Sequence, residues 1–382
     1  MKKILIIHNR YQNLGGEDIA VTHEVALLKE KYDVKELYFD NKIDSIFNFL
    51  KLVLTLKNKK SVRELDKIYS NFLPDFVYIH NTWFNASLDI FNYLEKKDAK
   101  IIIKIHNFRY NCTKNFKSKQ HLRNGNVCVA CGFKYKKLQY FNKYFNESYL
   151  KSLFVLLYGR KYFKILLNSN FKIAVLTEFH KNYLNELGVN LQRLHVVPNF
   201  IDSPQNNYIQ KNNKSIVYAG RVSEEKGLKE LVTAFKNLDI PSYNLKIVGD
   251  GPLLKELIDS NTSNNIEFLG QVDNERVHGL IANSVGVITA TKLLEGQPTI
   301  LFEASLLKKP CIFPETGGLL EFFPNNYPLS YQQFNYSDLE NKIKLLLQNQ
   351  DRSSSIGEKN YNYLSSKFSK EITLEKYNLL FN

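Results

Sequence analysis

Acidic side chains are nearly missing from one stretch of this sequence: residues 101–170 carry 14 lysines and arginines against a single acid, Glu147. Long hydrophobic runs are missing as well. The most apolar windows, Ile46–Leu56 and Ser152–Leu157, are broken or bounded by Lys51, Lys57, Lys151 and Arg160, well short of the roughly 18 residues a spanning helix needs. Only ILII follows Lys2 and Lys3 before His8 and Asn9, too little for the apolar core of a secretory leader, so a cytoplasmic protein is expected. Four cysteines in 382 residues exclude a disulfide framework. No Asp-x-Asp occurs anywhere, which removes the usual acidic pair for a divalent cation. Composition excludes disorder and fibre, because hydrophobic residues make up 44% of the chain.

What is present is an alternation of short apolar runs with helical patterns, the mark of parallel sheets flanked by helices. A first block has strand candidates at Lys3–Ile7, Val34–Tyr38, Phe76–Ile79, Ile101–Ile105, Lys172–Leu176 and His195–Val197, with helical stretches expected near 18–31 and 83–95. Thr177 is placed to cap a helix over 178–187. Asp202–Lys214 is polar and Asn-rich and reads as a linker. A second block restarts the rhythm at Ser215–Tyr218, Leu245–Val248, Ile266–Leu269, Val285–Thr289 and Cys311–Phe313, and the chain is expected to be helical after Tyr331. The length fits two α/β domains, 1–200 and 201–365, with a helix over 366–382 packing back. Ligands of such domains gather at the carboxyl ends of the strands.

Several strand-to-helix junctions carry glycine and so suit an anion, since unsatisfied N–H groups and the helix dipole converge there. In YAGRVSEEKGL, Gly220 permits a tight exit from the strand, and Arg221 and Lys226 are expected to converge on a diphosphate. In VGDGPL, Gly249 and Gly251 permit close backbone approach, but the third glycine of a dinucleotide fingerprint is missing. In LEGQPTILFEAS, Glu295 lies in the loop, Pro298 is expected in the first helical turn and Glu303 follows on the helix. Two other glutamate pairs share that spacing, Glu178 with Glu186 and Glu267 with Glu275, yet only this one brackets a Gly-x-Pro turn. Near the amino end Gly15 and Gly16 repeat the phosphate-approach logic.

Taken in order, GGED (15–18), IHNFR (105–109), VVPNFID (196–202), YAGRVSEEKGL (218–228), VGDGPL (248–253), FLGQV (268–272) and the Glu295–Glu303 segment resemble retaining glycosyltransferases of family 4, of the bacterial exopolysaccharide, capsule and O-antigen type. The resemblance implies a GT-B fold, two Rossmann-like domains facing across a cleft. It also implies a hexosyltransferase acting from a nucleotide-diphosphate sugar, a UDP-sugar by preference, on a polyprenyl-diphosphate-linked glycan. By the same resemblance, Arg221 and Lys226 would neutralise the donor diphosphate, Glu303 would hold ribose hydroxyls and Glu295 would face the sugar. The backbone of Gln297, Pro298, Thr299 and Ile300 would contact sugar and phosphate, Gly16 would let the amino domain close over the diphosphate, and His106 would contact the donor sugar. His8 and His80 end neighbouring strands and are weaker candidates. No metal is required on this reading.

Cys112, Cys128 and Cys131, with His106 or His121 as a fourth ligand, are a weak candidate for structural zinc; packed reduced thiols are the alternative. Lys134–Lys164 interleaves lysines with aromatic and aliphatic residues, a composition suited to an anionic lipid interface with Tyr and Phe at the boundary. With residues 101–170 on the membrane, the protein is expected to be peripheral on the inner face of the cytoplasmic membrane. A nucleic-acid-binding protein with a zinc knuckle, or an epimerase of the same fold, would be the competing readings. The first leaves the loops of the uncharged second half unexplained and the second leaves the basic segment unexplained, so no nucleic-acid partner is expected.

Overall fold

A computed structural model describes residues 1–10, 15–41, 52, 55–108, 149–202, 208 and 214–382. The chain divides into two compact units, Met1–Phe200 with Lys370–Asn382, and Ile201–Ser369.

The first unit is built on six parallel strands, β1 (Lys3–Arg10), β2 (Asp33–Asp40), β3 (Phe76–Ile79), β4 (Ile101–Ile105), β5 (Lys172–Val175) and β6 (Leu194–Val196), in the order β2-β1-β3-β4-β5-β6. Central strands of such a sheet are covered on both faces, which is why they read as unbroken apolar runs; Ile4 to Ile7 are fully buried, whereas edge strand β2 alternates. Helices α1 (Gly16–Leu28), α2 (Lys59–Phe72), α3 (Asp89–Glu95), α4 (Tyr149–Asn168) and α5 (Glu178–Glu186) complete the layers. Thr177 caps α5 by accepting from the His180 amide at 3.1 Å.

The helix expected over 83–95 begins only at Asp89. Side-chain amides hold the preceding residues in turns instead: Asn81 Oδ1 accepts from the Trp83 amide, Asn41 Oδ1 from those of Phe84 and Asn85, and Asn9 Oδ1 from that of Ala86. Asparagine competes with the helical ladder for the same backbone groups, and here it wins.

Six parallel strands also form the second unit: β7 (Ser215–Ala219), β8 (Asn244–Val248), β9 (Ile266–Gly270), β10 (Gly286–Ile288), β11 (Cys311–Glu315) and β12 (Ser330–Gln332), ordered β12-β11-β10-β7-β8-β9. This is the doubly wound dinucleotide-fold order, in which the strand order reverses between β7 and β10. Helices α6 (Leu228–Lys236), α7 (Leu254–Asp259), α8 (Asn274–Ala282), α9 (Thr299–Leu306), α10 (Tyr336–Gln348) and α11 (Gln350–Lys367) flank the sheet.

Phe368 still packs on Phe302 and Phe322 of the second unit, and α12 (Lys370–Leu380) belongs to the first. The return therefore starts at Lys370, not at 366. Tyr377 and Phe381 lie against Tyr78, and Lys2 and Lys172 donate to the carbonyls of Phe381 and Leu380, both at 2.9 Å. Two cations thus hold the carboxyl end of α12, where the helix dipole is negative. Among the described residues no helix is long and apolar enough to cross a membrane.

Candidate active site

In the second unit the reversal of strand order falls between β7 and β10, where crossover connections leave in opposite directions and open a crevice. The chain leaving β7 turns through Glu224–Lys226 into Gly227, which takes φ +69° and starts α6. A Cβ on Gly227 would lie 2.0 Å from the Ala290 carbonyl oxygen, so only glycine lets this turn meet the end of β10. The approach brings Lys226 Nζ to 2.6 Å from Glu295 Oε1, and Thr291 Oγ1 donates to the same oxygen at 2.9 Å. Both partners of the ion pair keep part of their surface in solvent. The Glu295 backbone is fixed from the far side: Gly318 N donates to its carbonyl at 3.0 Å, and Gly317, at φ +58°, passes so close that a Cβ would sit 2.1 Å from that oxygen. The glycine pair after β11 was the sequence signal for this support, and it went unread.

Pro298 is the N-cap of α9 in extended backbone, not a residue of its first turn; the helix starts at Thr299. The leading amides of Thr299 and Ile300 therefore have no carbonyl one turn back to bond. Gln297 is buried. Glu303 is buried on the next turn, its Oε2 3.2 Å from His278 Nε2 of α8, a close contact that lacks hydrogen-bond alignment.

Lys226 pairs with Glu295, while Arg221 is exposed and its guanidinium makes no ion pair among the described residues. One expectation for these loops changes. The amides expected to face an anion are spent within the protein. Gly220 N donates to Val248 O, Gly249 N to Gly270 O, and Gly251 N to the Asp250 carboxylate. Without Cβ atoms the loops after β7 and β8 pack against each other, and they hydrogen-bond there, Val222 N to Asp250 O and Leu253 N to Val222 O.

In the first unit the reversal lies between β1 and β3. Gly15 precedes α1 as its N-cap, and its N–H is taken by Asp18 Oδ2 at 2.9 Å. The other oxygen of Asp18 lies 2.8 Å from His8 Nε2, both groups buried. A carboxylate of the chain itself thus occupies the positive end of α1, beside Gly16. His106 follows β4, and its Nε2 lies 2.9 Å from Nδ1 of His80 at the end of β3, the rings stacked at 23°. Burial holds both imidazoles well below the usual histidine range, with the Lys104 charge adding to the effect on each. Asn107 Nδ2 donates to Glu17 Oε2 at 3.2 Å beside a cavity of about 20 Å³.

Beneath these rings lies a fully buried ion pair, Lys104 Nζ to Glu24 Oε2 at 2.7 Å. Tyr78 donates to the other Glu24 oxygen at 2.7 Å, and Lys104 also donates to the Tyr377 hydroxyl at 3.2 Å. Lys104 was visible as the one charge inside IIIKI, a signal passed over.

Cys112, Cys128, Cys131 and His121 lie outside the described residues, as does the basic stretch 109–148. For α4 the expected lipid-facing aromatics are corrected. Phe154, Tyr158 and Tyr162 are buried, packed on Trp83 and Phe84. The outward stripe at helical spacing is Leu153, Leu157, Lys161 and Lys164.

Residues 199–363 match the family of Glycosyl transferases group 1. An uncharacterized glycosyltransferase of Methanocaldococcus jannaschii is 28% identical over 225 residues, covering 57% of this chain and 60% of that protein. The amylovoran biosynthesis glycosyltransferase AmsD of Erwinia amylovora is 28% identical over 173 residues, 42% of this chain and 48% of that one. The matches thus span less than two thirds of either relative. In three dimensions the chain is similar to HepE of Anabaena, solved with UDP and glucose, at a TM-score of 0.69 and 16% identity over 100% of this chain and 99% of that one. The fold is GT-B.

Proposed function

We propose that the protein is a glycosyltransferase moving a sugar, with retention, from a UDP-sugar to a lipid-linked glycan during synthesis of a surface polysaccharide. The observation that carries this is the Lys226–Glu295 pair at the strand-order reversal of the second unit, inside the stretch that matches the glycosyltransferase family. UDP is favoured because HepE was solved with it, and polysaccharide synthesis because AmsD acts in it.

On this reading a bound diphosphate competes with Glu295 for the Lys226 ammonium, and Arg221, already facing solvent, adds a bidentate cation. Glu295, released from Lys226, is free to accept hydrogen bonds from sugar hydroxyls. Glu303 accepts from the ribose, and the leading amides of α9 meet phosphate or sugar oxygens. The anomeric carbon–oxygen bond to the departing phosphate breaks as the acceptor oxygen bonds to the same carbon on the same face. The acceptor proton passes to the departing phosphate oxygen. Preorganised positive charge stabilises the separated charges of the transition state.

The acceptor's lipid would be reached at an anionic membrane. Leu153 and Leu157, each 39% exposed, would enter the interface with Lys161 and Lys164 on headgroups. Sedimentation with phosphatidylglycerol vesicles, lost in 0.5 M salt at about a Debye length of a few ångströms and in a Lys161→Glu/Lys164→Glu variant, is the expected result. No binding at low salt would remove the membrane.

The test of the activity is a thermal-shift screen over UDP, GDP and their sugars, followed by assay of nucleotide release. Stabilisation by a nucleoside diphosphate that disappears in Lys226→Ala supports the reading. No stabilisation by any of them overturns it.

A further inference from the structure

We infer that His80 is a positioning residue: its hydrogen bond holds the His106 ring as the Nδ1–H tautomer and aims that N–H into the small cavity beside Glu17. The inference rests on the contact with the donor sugar that the family resemblance implies for His106, and it adds a residue and a protonation state to that role.

The two rings meet nitrogen to nitrogen at 2.9 Å, so one donates and the other accepts. One proton therefore lies between Nδ1 of His80 and Nε2 of His106, and its owner decides what each ring offers at its far side. If His106 donated, His80 would carry its one ring proton on Nε2, a buried atom with no acceptor in reach. A buried donor without an acceptor is among the costlier defects a fold can hold. If His80 donates, its Nε2 is a bare lone pair in the positive field of Lys104, whose charge bears on both rings. His106 then carries its proton on Nδ1.

That second arrangement places the remaining donor where it has a use. His106 Nδ1 is itself buried and unpaired; both rings line the cavity, together with Glu17, Thr82, Asn107 and Tyr162, but His80 is buried whereas His106 keeps part of its surface exposed. Thr82 Oγ1, too, is buried without a partner there. A volume of about 20 Å³ admits one oxygen atom, a water or a hydroxyl.

The charged and titratable groups around the pair come from every neighbouring element. His8 stands edge-on to His80 at 6.1 Å and is itself fixed by Asp18; Tyr78 lies against the same ring at 4.6 Å. Lys104, Glu24 and Tyr377 form the buried cluster below. Burial dominates among them and disfavours an imidazolium on either ring, so the pair works as a neutral donor relay and not as a charge.

The experiment is long-range ¹H–¹⁵N correlation spectroscopy of the eight histidines, with His106 assigned by His106→Gln. Wild-type protein should show His106 with a pyrrole-like Nδ1 and a pyridine-like Nε2, unchanged between pH 5.5 and 8. A pyrrole-like Nε2 in the wild type overturns the inference without any variant. In His80→Leu the fixed pattern should give way to an average of both tautomers, and His80→Asn, whose amide can donate to the same nitrogen, should restore it. An unaltered pattern in a folded His80→Leu also overturns it. With the sugar nucleotide found in the donor screen, His80→Leu should lower kcat about tenfold with little change in KM. Full turnover in His106→Ala would remove the sugar-contact reading while leaving the spectroscopic result standing.

Discussion

Replacing Glu24 with Gln changes little in shape and removes one charge from the buried cluster that ties α1, β3, β4 and α12 together. Lys104 and Glu24 are both 0% exposed, and Lys104 keeps the Tyr377 hydroxyl as its other partner. Burial already lowers the Lys104 pKa although Glu24 opposes the shift. Without the carboxylate, the ammonium is a buried charge with neutral neighbours, and it sheds its proton. Holding a lysine neutral at pH 7 against a free value near 10.4 costs at most about 4.6 kcal/mol, in line with the roughly 3–5 kcal/mol found when one partner of a buried pair is removed. The unfolded chain then binds one proton more than the folded chain, so stability of the variant should rise with pH by about 1.4 kcal/mol per unit from pH 7 to 9. The assay is urea denaturation followed by fluorescence of Trp83, the single tryptophan, which is buried in the first unit against Tyr158 and therefore reports that unit alone. Glu24→Leu with Lys104→Met should recover part of the loss, because no charge is left buried alone, although the Tyr78 and Tyr377 hydroxyls give up Glu24 and Lys104 as partners. A Glu24→Gln penalty below about 1 kcal/mol, with no pH slope, would refute the reasoning.

Three further outcomes are expected. His80, His106 and His180 are held neutral by burial, His180 down to about 3; below the free value near 6.5 the unfolded chain takes up protons that the folded chain does not. Stability of the first unit should therefore fall on acidification by about 1 kcal/mol per histidine per pH unit, and a flat urea midpoint from pH 7 to 5 would contradict this. Gly317→Ala places a methyl 2.1 Å from the Glu295 carbonyl in left-handed backbone, so the Glu295 loop must shift; at least about 1 kcal/mol of stability should be lost, along with nucleotide-induced stabilisation, and retention of both would show that the loop yields freely. On the proposed reading, in which Arg221 and Lys226 neutralise the diphosphate, turnover should survive EDTA; loss restored by Mn²⁺ would reverse that assignment.

Strands were the legible part of the fold, because a parallel sheet buries both faces and prints each strand as a bounded apolar run. Phe76–Ile79 and Ile101–Ile105 agree with β3 and β4 to the residue. The stretch before α3 misled, because its helical spacing is real but asparagines 9 and 41, distant in sequence, claim its amides along with the neighbouring Asn81. Strand β12 is three residues on a sheet edge and has too little pattern to be read. At the site, the resemblance pointed to Lys226, Glu295, Glu303 and His106, and the sequence could not show what each one touches. Lys226 meets Glu295 across 69 residues and Lys104 meets Glu24 across 80, separations at which no local rule operates.

The split make-up of the first unit dictates an order of assembly. Residues 201–369 are contiguous, so the second unit holds all of its strands once Ser369 has been synthesised. The first unit, although its strands are made first, has no Tyr377 to receive Lys104 and no Phe381 against Tyr78 until residues 370–382 follow. Domains that fold during synthesis usually do so from the amino end; here the earlier-made unit closes last. A nascent chain arrested at Ser369 should accordingly be cut by protease within residues 1–200 and resist within 201–369, and release of the remaining residues should protect both.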